Sequence, residues 1–512
     1  MFRGRGLRAA VAACCATAMF TSPALAAGGP GAPGAGDDYF PGYGNGGYDV
    51  SHYDLALRYQ PSEDHLRGTA TIVATTTQDL TSFNLDFALT AKSVRVNGMP
   101  ADFRQHGLEM TVTPPSPLPE GELATFVVEY EGVPSTVDVD GKTPWVRTAG
   151  GALAIGQPEI SSWWFPGNDH PRDKATYDVA VAVPDGTEVL SNGAHTGNSS
   201  LAGWTTWHWR NSEPTATYLA FLAIGQYELH ARKGAFGQPF ISAYSERLGE
   251  LAGPAKASIE RTPEVLDFLS GRFGDYPFGA QGGVVPAEGL NFALENQTRP
   301  TYSHLFFRSG SNTSVVVHEN AHQWFGDSVS VDRWRDIWLN EGFASYAEWM
   351  WSEAQGTGTT QQLFDHYYRA HPADDAFWQV LPGDPGPDDV FHEAVYDRGA
   401  MALHALRNVI GDAAFQEIAR TWAAEHRHGN GNIGQFIDLA EKISGQDLGE
   451  LFDAWLFTPG RPPADPSLGV PAGAEPRSAE APAAVSEIDR THEILAGHGS
   501  AHGYGSAHGH GR

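Results

Sequence analysis

Cysteine is almost absent. The 512-residue chain has two, Cys14 and Cys15, side by side near its start. They lie in a segment with the layout of an export signal. Arg3, Arg5 and Arg8 form a basic stretch, Ala9 to Phe20 an apolar run, and Ala24-Leu25-Ala26 a small-residue cleavage site. Processing after Ala26 leaves no thiol, which excludes disulfides and zinc–thiolate sites. Val11-Ala12-Ala13-Cys14 weakly resembles a lipoprotein cleavage box, but only a short apolar run precedes it. Basic residues are also scarce: 33 Lys+Arg stand against 61 Asp+Glu, a net charge of −28. Such a balance excludes nucleic acid as the main partner, because phosphate binding needs basic patches, and it repels anionic membrane surfaces. No later segment reaches the ~20 apolar residues of a membrane span. The expectation is an exported, soluble protein without membrane insertion, with a monomer as the expected state.

Hydrophobic residues make up 41% of the chain and include 14 Trp, enough to build a core. The length suggests two or three domains at roughly 150 residues each. After the signal (1–26), residues 27–46 are rich in Gly and Pro and read as a flexible leader. Residues 47–250 carry strand patterns. Tyr53 to Tyr59 largely alternate, Leu123 to Tyr130 and Asp178 to Pro184 are β-rich, and Asn97-Gly98 and Asp185-Gly186 supply turns. From 251 to 463 helical periodicity dominates. Helices are predicted from Pro263 and over Ser314–Phe325, Ile337–Glu353, Ala400–Ile410, Ala414–His426 and Ile433–Leu456, with a small sheet around Gly282–Leu294. Residues 464–512 are rich in Pro, Ala and Gly and end with His492, His498, His502, His508 and His510. They read as a disordered tail with, at most, loose affinity for divalent metals.

The sharpest chemical signal is His318-Glu319-Asn320-Ala321-His322. On a helix, positions i and i+4 share a face, so two imidazoles converge on one metal with Glu319 beside them as a general base. Zinc needs a third protein ligand and an open position. Glu341, in Trp338-Leu339-Asn340-Glu341-Gly342-Phe343-Ala344, follows His322 after 18 residues (323–340) and is flanked by apolar bulk. That spacing suits a second helix facing the first. Asp327 and Glu348 are candidates to orient the histidines. There is no Gly-x-Ser-x-Gly elbow, no phosphate loop and no convincing dinucleotide fingerprint.

His318-Glu319-x-x-His322, 18 residues and then Glu341 resemble the aminopeptidase N family of gluzincin zinc metallopeptidases, and His322-Gln323-Trp324-Phe325-Gly326-Asp327 extends the likeness. Phe292-Ala293-Leu294-Glu295-Asn296 is similar to the family's G-A-M-E-N exopeptidase motif. Gln157-Pro158-Glu159 is similar to its Q-x-E segment, and Trp164-Phe165-Pro166 with Asp169-His170-Pro171 to its F-P-x-x-D-x-P segment. Val395-Tyr396-Asp397-Arg398-Gly399-Ala400 resembles the segment carrying the family's catalytic tyrosine. The matching stretches run from about Tyr48 to Pro463. Phe292 for glycine, Leu294 for methionine and Asn320 are departures. The chain also stops where larger relatives continue into a helical C-terminal domain, which implies a short form with a more open cleft.

The resemblance implies an α+β multidomain fold, with an N-terminal antiparallel β domain followed by a mostly helical thermolysin-like zinc metallopeptidase domain. It implies one Zn2+ per chain on His318, His322 and Glu341, with Glu319 as general base and Tyr396 as oxyanion donor. Glu295, helped by Gln157 and Glu159 and with Ala293 and Asn296 from the same motif, would hold the free amino terminus of a peptide substrate. The expected activity is removal of the N-terminal residue from peptides. The alternatives are an endopeptidase or a hydrolase of non-peptide substrates on the same fold, or a non-catalytic binding protein retaining it.

Overall fold

Alternation builds the first domain. In Lys174–Pro184 every second residue is buried, and in Tyr48–Gln60 the side chains of Tyr53, Leu55, Leu57 and Tyr59 point inward. The computed structural model describes Met1, residues 28–139, 141, 143–471 and 481–499, with side chains as far as Leu495. The expected signal segment (1–26), except Met1, and the histidines beyond His498 lie outside the described residues.

These strands belong to an eight-stranded sheet. Its order is Ala194–Leu201, Trp204–Ala216, Lys174–Pro184, Tyr48–Gln60, His65–Thr76, Leu123–Gly132, Thr90–Val96 and Met99–Pro100. Pairing is antiparallel except between Lys174–Pro184 and Tyr48–Gln60, which run parallel. The main sheet of the expected antiparallel domain therefore contains a parallel join, where a long excursion returns the chain to Tyr48–Gln60. Two four-stranded sheets complete the layer packing.

A further five-stranded sheet contains Tyr227–Lys233, Pro239–Ser245, Gln281–Val285, Thr301–Tyr302 and Ala293–Leu294. It moves the domain boundary from the expected residue 250 to about 226, because the strands at 227–245 pair with 281–285 and not with the first domain. Val284, Leu290, Phe292 and Leu294 nevertheless pack into the apolar core of the first domain. This sheet is the bridge on which one wall of the site is built.

Helices follow: α1 (Ala252–Ile259), α2 (Thr262–Phe273), α3 (Ser314–Ala321), α4 (Trp338–Gln355), α5 (Thr360–Ala370), α6 (Glu393–Ile410), α7 (Asp412–Glu425), α8 (Ile433–Ser444), α9 (Gly449–Phe452) and α10 (Val485–Gly499). Two expectations are corrected by local chemistry. Helix α6 starts seven residues before Ala400, because the His392 ring accepts a hydrogen bond from the Ala394 N–H and caps the helix start. The single helix expected over Ile433–Leu456 is cut at Gly445, whose φ of +68° ends α8 in the left-handed region.

The two flanking segments also differ from expectation. Residues 28–47 form a strap laid across both domains rather than a loose leader. The buried Asp37 carboxylate accepts from the Trp334 N–H at 2.9 Å and meets the His170 ring at 3.2 Å, and Gly29–Pro30 pairs with Leu80–Asp86. The supposed disordered tail contains α10, which buries Val485, Ile488, Thr491 and Leu495 against the helical domain. Its buried residues recur every three or four positions, enough to hold one helical face.

Candidate active site and metal centre

Helix α3 is apolar at its start, with Val315, Val316 and Val317 fully buried, and this drives the following His318 and His322 into the interior. Each imidazole spends its Nδ1 on an orienting partner. His318 Nδ1 lies 2.8 Å from Glu348 Oε1, and His322 Nδ1 lies 3.0 Å from the Phe325 carbonyl. Both Nε2 atoms therefore face Glu341, 3.5 and 3.3 Å from its Oε2. Tetrahedral zinc with bonds of ~2.0–2.1 Å separates its ligand atoms by about 3.4 Å, so this buried triangle of two nitrogens and one carboxylate oxygen fits the ion. Gly326 (φ +133°) keeps the turn after α3 clear: a Cβ there would sit 3.3 Å from His322 Nδ1. Asp327, proposed above as an orienting group, does not reach a ligand side chain. It accepts from Gln323 Nε2 at 2.7 Å, and Gln323 in turn donates to the Glu295 carbonyl at 3.1 Å.

Glu341 arrives on α4 and Tyr396 on α6, and two glycines let those helices touch. A Cβ on Gly342 would lie 3.2 Å from the Gly399 backbone and 2.7 Å from Trp338 Nε1. The close crossing places the Tyr396 ring parallel to that of His318, 6.0 Å apart between centroids. Burial, and then the carboxylates of Glu341, Glu295 and Glu319, push the Tyr396 hydroxyl well above the ordinary tyrosine range. It stays protonated, as a hydrogen-bond donor must.

The strand Ala293–Leu294 delivers Glu295 to the opposite wall. Gln157 Nε2 and the Tyr218 hydroxyl donate to Glu295 Oε1 at 3.2 and 3.3 Å. Ligand atoms of Glu295, Glu319 and His322 all lie within 4.8 Å of one another. Burial raises the Glu295 carboxyl and pushes that of Glu319 up to about 8. Burial opposes ionisation of Glu341 too, but His322 and His318 prevail and hold it at about 2. Three carboxylates crowded in one buried site call for cationic partners.

Two of the expected substrate residues are placed elsewhere. Glu159 hydrogen-bonds the Tyr43 hydroxyl of the strap, and the Asn296 amide donates to the Leu219 carbonyl while its oxygen accepts from Thr301. Neither lines the small cavity that holds Gln157, Phe292, Ala293, Glu295, Glu319 and Tyr396. The unexpected Asn320 faces away from it and donates to the Tyr302 hydroxyl and the Val316 carbonyl. Tyr218, Gln323 and Leu495 carry roles at the site that the sequence reading missed. Only Leu495, spaced seven residues after Ile488, left a periodic trace.

The Peptidase M1 N-terminal domain model matches residues 50–219, and the Peptidase family M1 domain model matches residues 258–455. Glutamyl aminopeptidase of Rattus norvegicus is 26% identical over 462 residues, 80% of this chain and 47% of that protein. Aminopeptidase N of Lactococcus lactis subsp. lactis is 28% identical over 383 residues, 67% of this chain and 44% of that protein. The chain thus spans about half the length of the curated relatives it matches. An M1 zinc metallopeptidase from Deinococcus radiodurans is similar at a TM-score of 0.75 and 29% identity, across 84% of this chain and 99% of that one. A mutant two-domain M1 zinc metallopeptidase bound to L-arginine is similar at a TM-score of 0.76 and 29% identity, across 84% of this chain and 99% of that one. With a β-rich first domain, a helical second domain and a His/His/Glu metal triangle between helices α3 and α4, the chain is a member of peptidase family M1.

Proposed function

We propose that the protein is an exported zinc aminopeptidase that removes the N-terminal residue of peptides. The observation that carries this reading is Glu295, a buried carboxylate that the metal triangle does not use, held by Gln157 and Tyr218 beside Glu319. An anion at a fixed distance from the metal serves a substrate that ends in an α-ammonium, because charge-assisted hydrogen bonds gain strength in a desolvated site. An endopeptidase has no such charge to place. Among the similar structures, mutant M1 metallopeptidases hold L-arginine and a Tyr-Ser-Ala substrate, which supports peptides as the substrate class. Export is supported by the Arg3-to-Ala26 signal pattern, and no described helix is long and apolar enough to cross a membrane.

His318, His322 and Glu341 would hold the zinc, which when bound would supply Lewis acidity for attack of water on the scissile carbonyl. Glu319, beside the metal triangle, would take a proton from the attacking water and pass it to the leaving amine. Tyr396 donates its phenolic hydrogen bond to the developing oxyanion. Glu295 and Gln157 fix the amino end, so that only the first peptide bond meets Glu319.

The test is hydrolysis of amino-acid amides with free and with acetylated amino groups, with and without a chelator, by the wild type and by Glu295→Gln. Chelator-sensitive cleavage of the free-amine series alone is expected, with kcat/KM reduced ~100-fold or more in the variant, in line with loss of a buried charge pair. Cleavage of the acetylated series at an equal rate would overturn the reading in favour of an endopeptidase.

A further inference from the structure

The metal site is covered by the chain's own C-terminal helix. Leu495 of α10 lines the same cavity as His318, Glu319, Glu341, Tyr396 and Glu295. The space left there is about 20 Å³, room for a single water molecule. An amino-acid side chain with its peptide bond needs a pocket of a few hundred Å³. A pocket wall leaves room for a substrate in front of it, whereas α10 leaves room for no more than water.

The helix is seated by polar contacts as well as apolar ones. Glu487 Oε1 accepts from the Thr313 and Ser314 N–H groups at 2.7 and 2.9 Å, capping the helix that carries both metal-binding histidines. Thr491 is fully buried and accepts from Asn312 Nδ2 at 2.9 Å. Asp489 accepts from the Tyr367 hydroxyl at 2.8 Å. His492 lies between Glu348, at 3.0 Å, and Asp397, at 2.9 Å. One face of one helix therefore touches the α3 start, the carboxylate that orients His318 and the mouth of the cavity.

We propose that α10 is a built-in occupant of the substrate cleft: docked, it excludes the N-terminal residue of a peptide, and residues 485–495 must leave before hydrolysis. For what the cleft binds, this rests on the aminopeptidase reading above. Substrate then competes with an intramolecular segment, and its apparent affinity falls by the fraction of molecules whose cleft is open.

Two full-length proteins beginning at Ala27 test it. Leu495→Glu sets a fourth carboxylate against Glu295, Glu319 and Glu341 and should expel the helix. The double variant Asn312→Cys, Thr491→Cys joins positions whose side chains now touch, in a chain with no other cysteine after residue 15. Hydrolysis of a free-amine amide should rise at least tenfold in Leu495→Glu. In the cross-linked protein it should fall at least tenfold and recover on reduction with a phosphine. The rate of zinc loss to dipicolinate, which needs no catalysis, should move in the same directions. Should Leu495→Glu fail to fold, the oxidised-to-reduced ratio decides alone. Zinc loss within twofold across all forms would overturn the proposal. Zinc loss that shifts as stated, with no amide cleaved by any form, would uphold the occupant and overturn the aminopeptidase reading.

Discussion

At Glu348 two imidazoles share one carboxylate. Its Oε1 lies 2.8 Å from His318 Nδ1 and 3.0 Å from His492 Nε2, while Ser314 Oγ donates to Oε2. Burial alone would neutralise the group, but His492 and His318 hold its carboxyl at about 2. The anion fixes the His318 ring and enriches the electron density that its Nε2 offers a metal. Glu348→Gln keeps the shape and removes the charge, so zinc affinity should drop ~10–100-fold, read by competition with a chromogenic chelator. An unchanged affinity would make Glu348 a mere anchor for α10. Residues of this kind were only half legible. His318, Glu319, His322 and Glu341 follow from helical spacing and a flanking apolar run, and Glu348 lies seven residues, two turns, beyond Glu341 on the same face. Nothing in the spacing of Asp327 told that its partner would be Gln323, because that depends on the backbone turn at Gly326.

Strand chemistry gives an opposite case. In the strand Glu109–Thr113, Glu109 stands across from Asp86, and both of its carboxylate oxygens are buried without a partner. Burial pushes its pKa up to about 7. The folded protein therefore holds this proton over a window, from the ordinary carboxylate range up to about 7, in which the unfolded chain has released it. Its contribution to stability is full at low pH and is lost as the pH rises through that window. Glu109→Gln should raise Tm at pH 8 by about 2 °C relative to wild type, and by nothing at pH 4.5, in paired calorimetric scans. At the level of elements, what sequence showed was period, and what it hid was capping and averaging. Helix α5, started by a Thr359–Gln362 capping box in a polar stretch, was not expected. Helix α10 was hidden because Val485, Ile488, Thr491 and Leu495 were averaged with the Gly- and His-rich residues that follow. The α4–α6 crossing required knowing that Gly342 and Gly399 face each other, which only the packed helices reveal.

The two domains are joined by a cation as well as by apolar packing. Lys174, on a strand of the first domain, is half-buried and donates from its ammonium to the carbonyls of Asp327, Ser328 and Gly429 at 2.7, 2.9 and 3.2 Å. Replacement by Met preserves the apolar stem and leaves three carbonyls without this donor, a loss of about 3 kcal/mol. Lys174→Met should unfold at lower denaturant concentration, and limited proteolysis should open the chain between its domains first. A denaturation midpoint equal to wild type would assign the join to apolar contact alone. The strap at residues 28–47 has a different consequence, one of timing. Ribosomes make it before any other described part of the fold except Met1, yet Asp37 must wait for Trp334, 297 residues later, and Tyr39 for Asp384, 345 residues later. Closing loops of that size is slow compared with forming hairpins. The stretch around Asp37 and Tyr39 is thus among the first made and the last fully seated, and a nascent chain stalled anywhere before residue 334 still shows Tyr39 to chaperones and proteases.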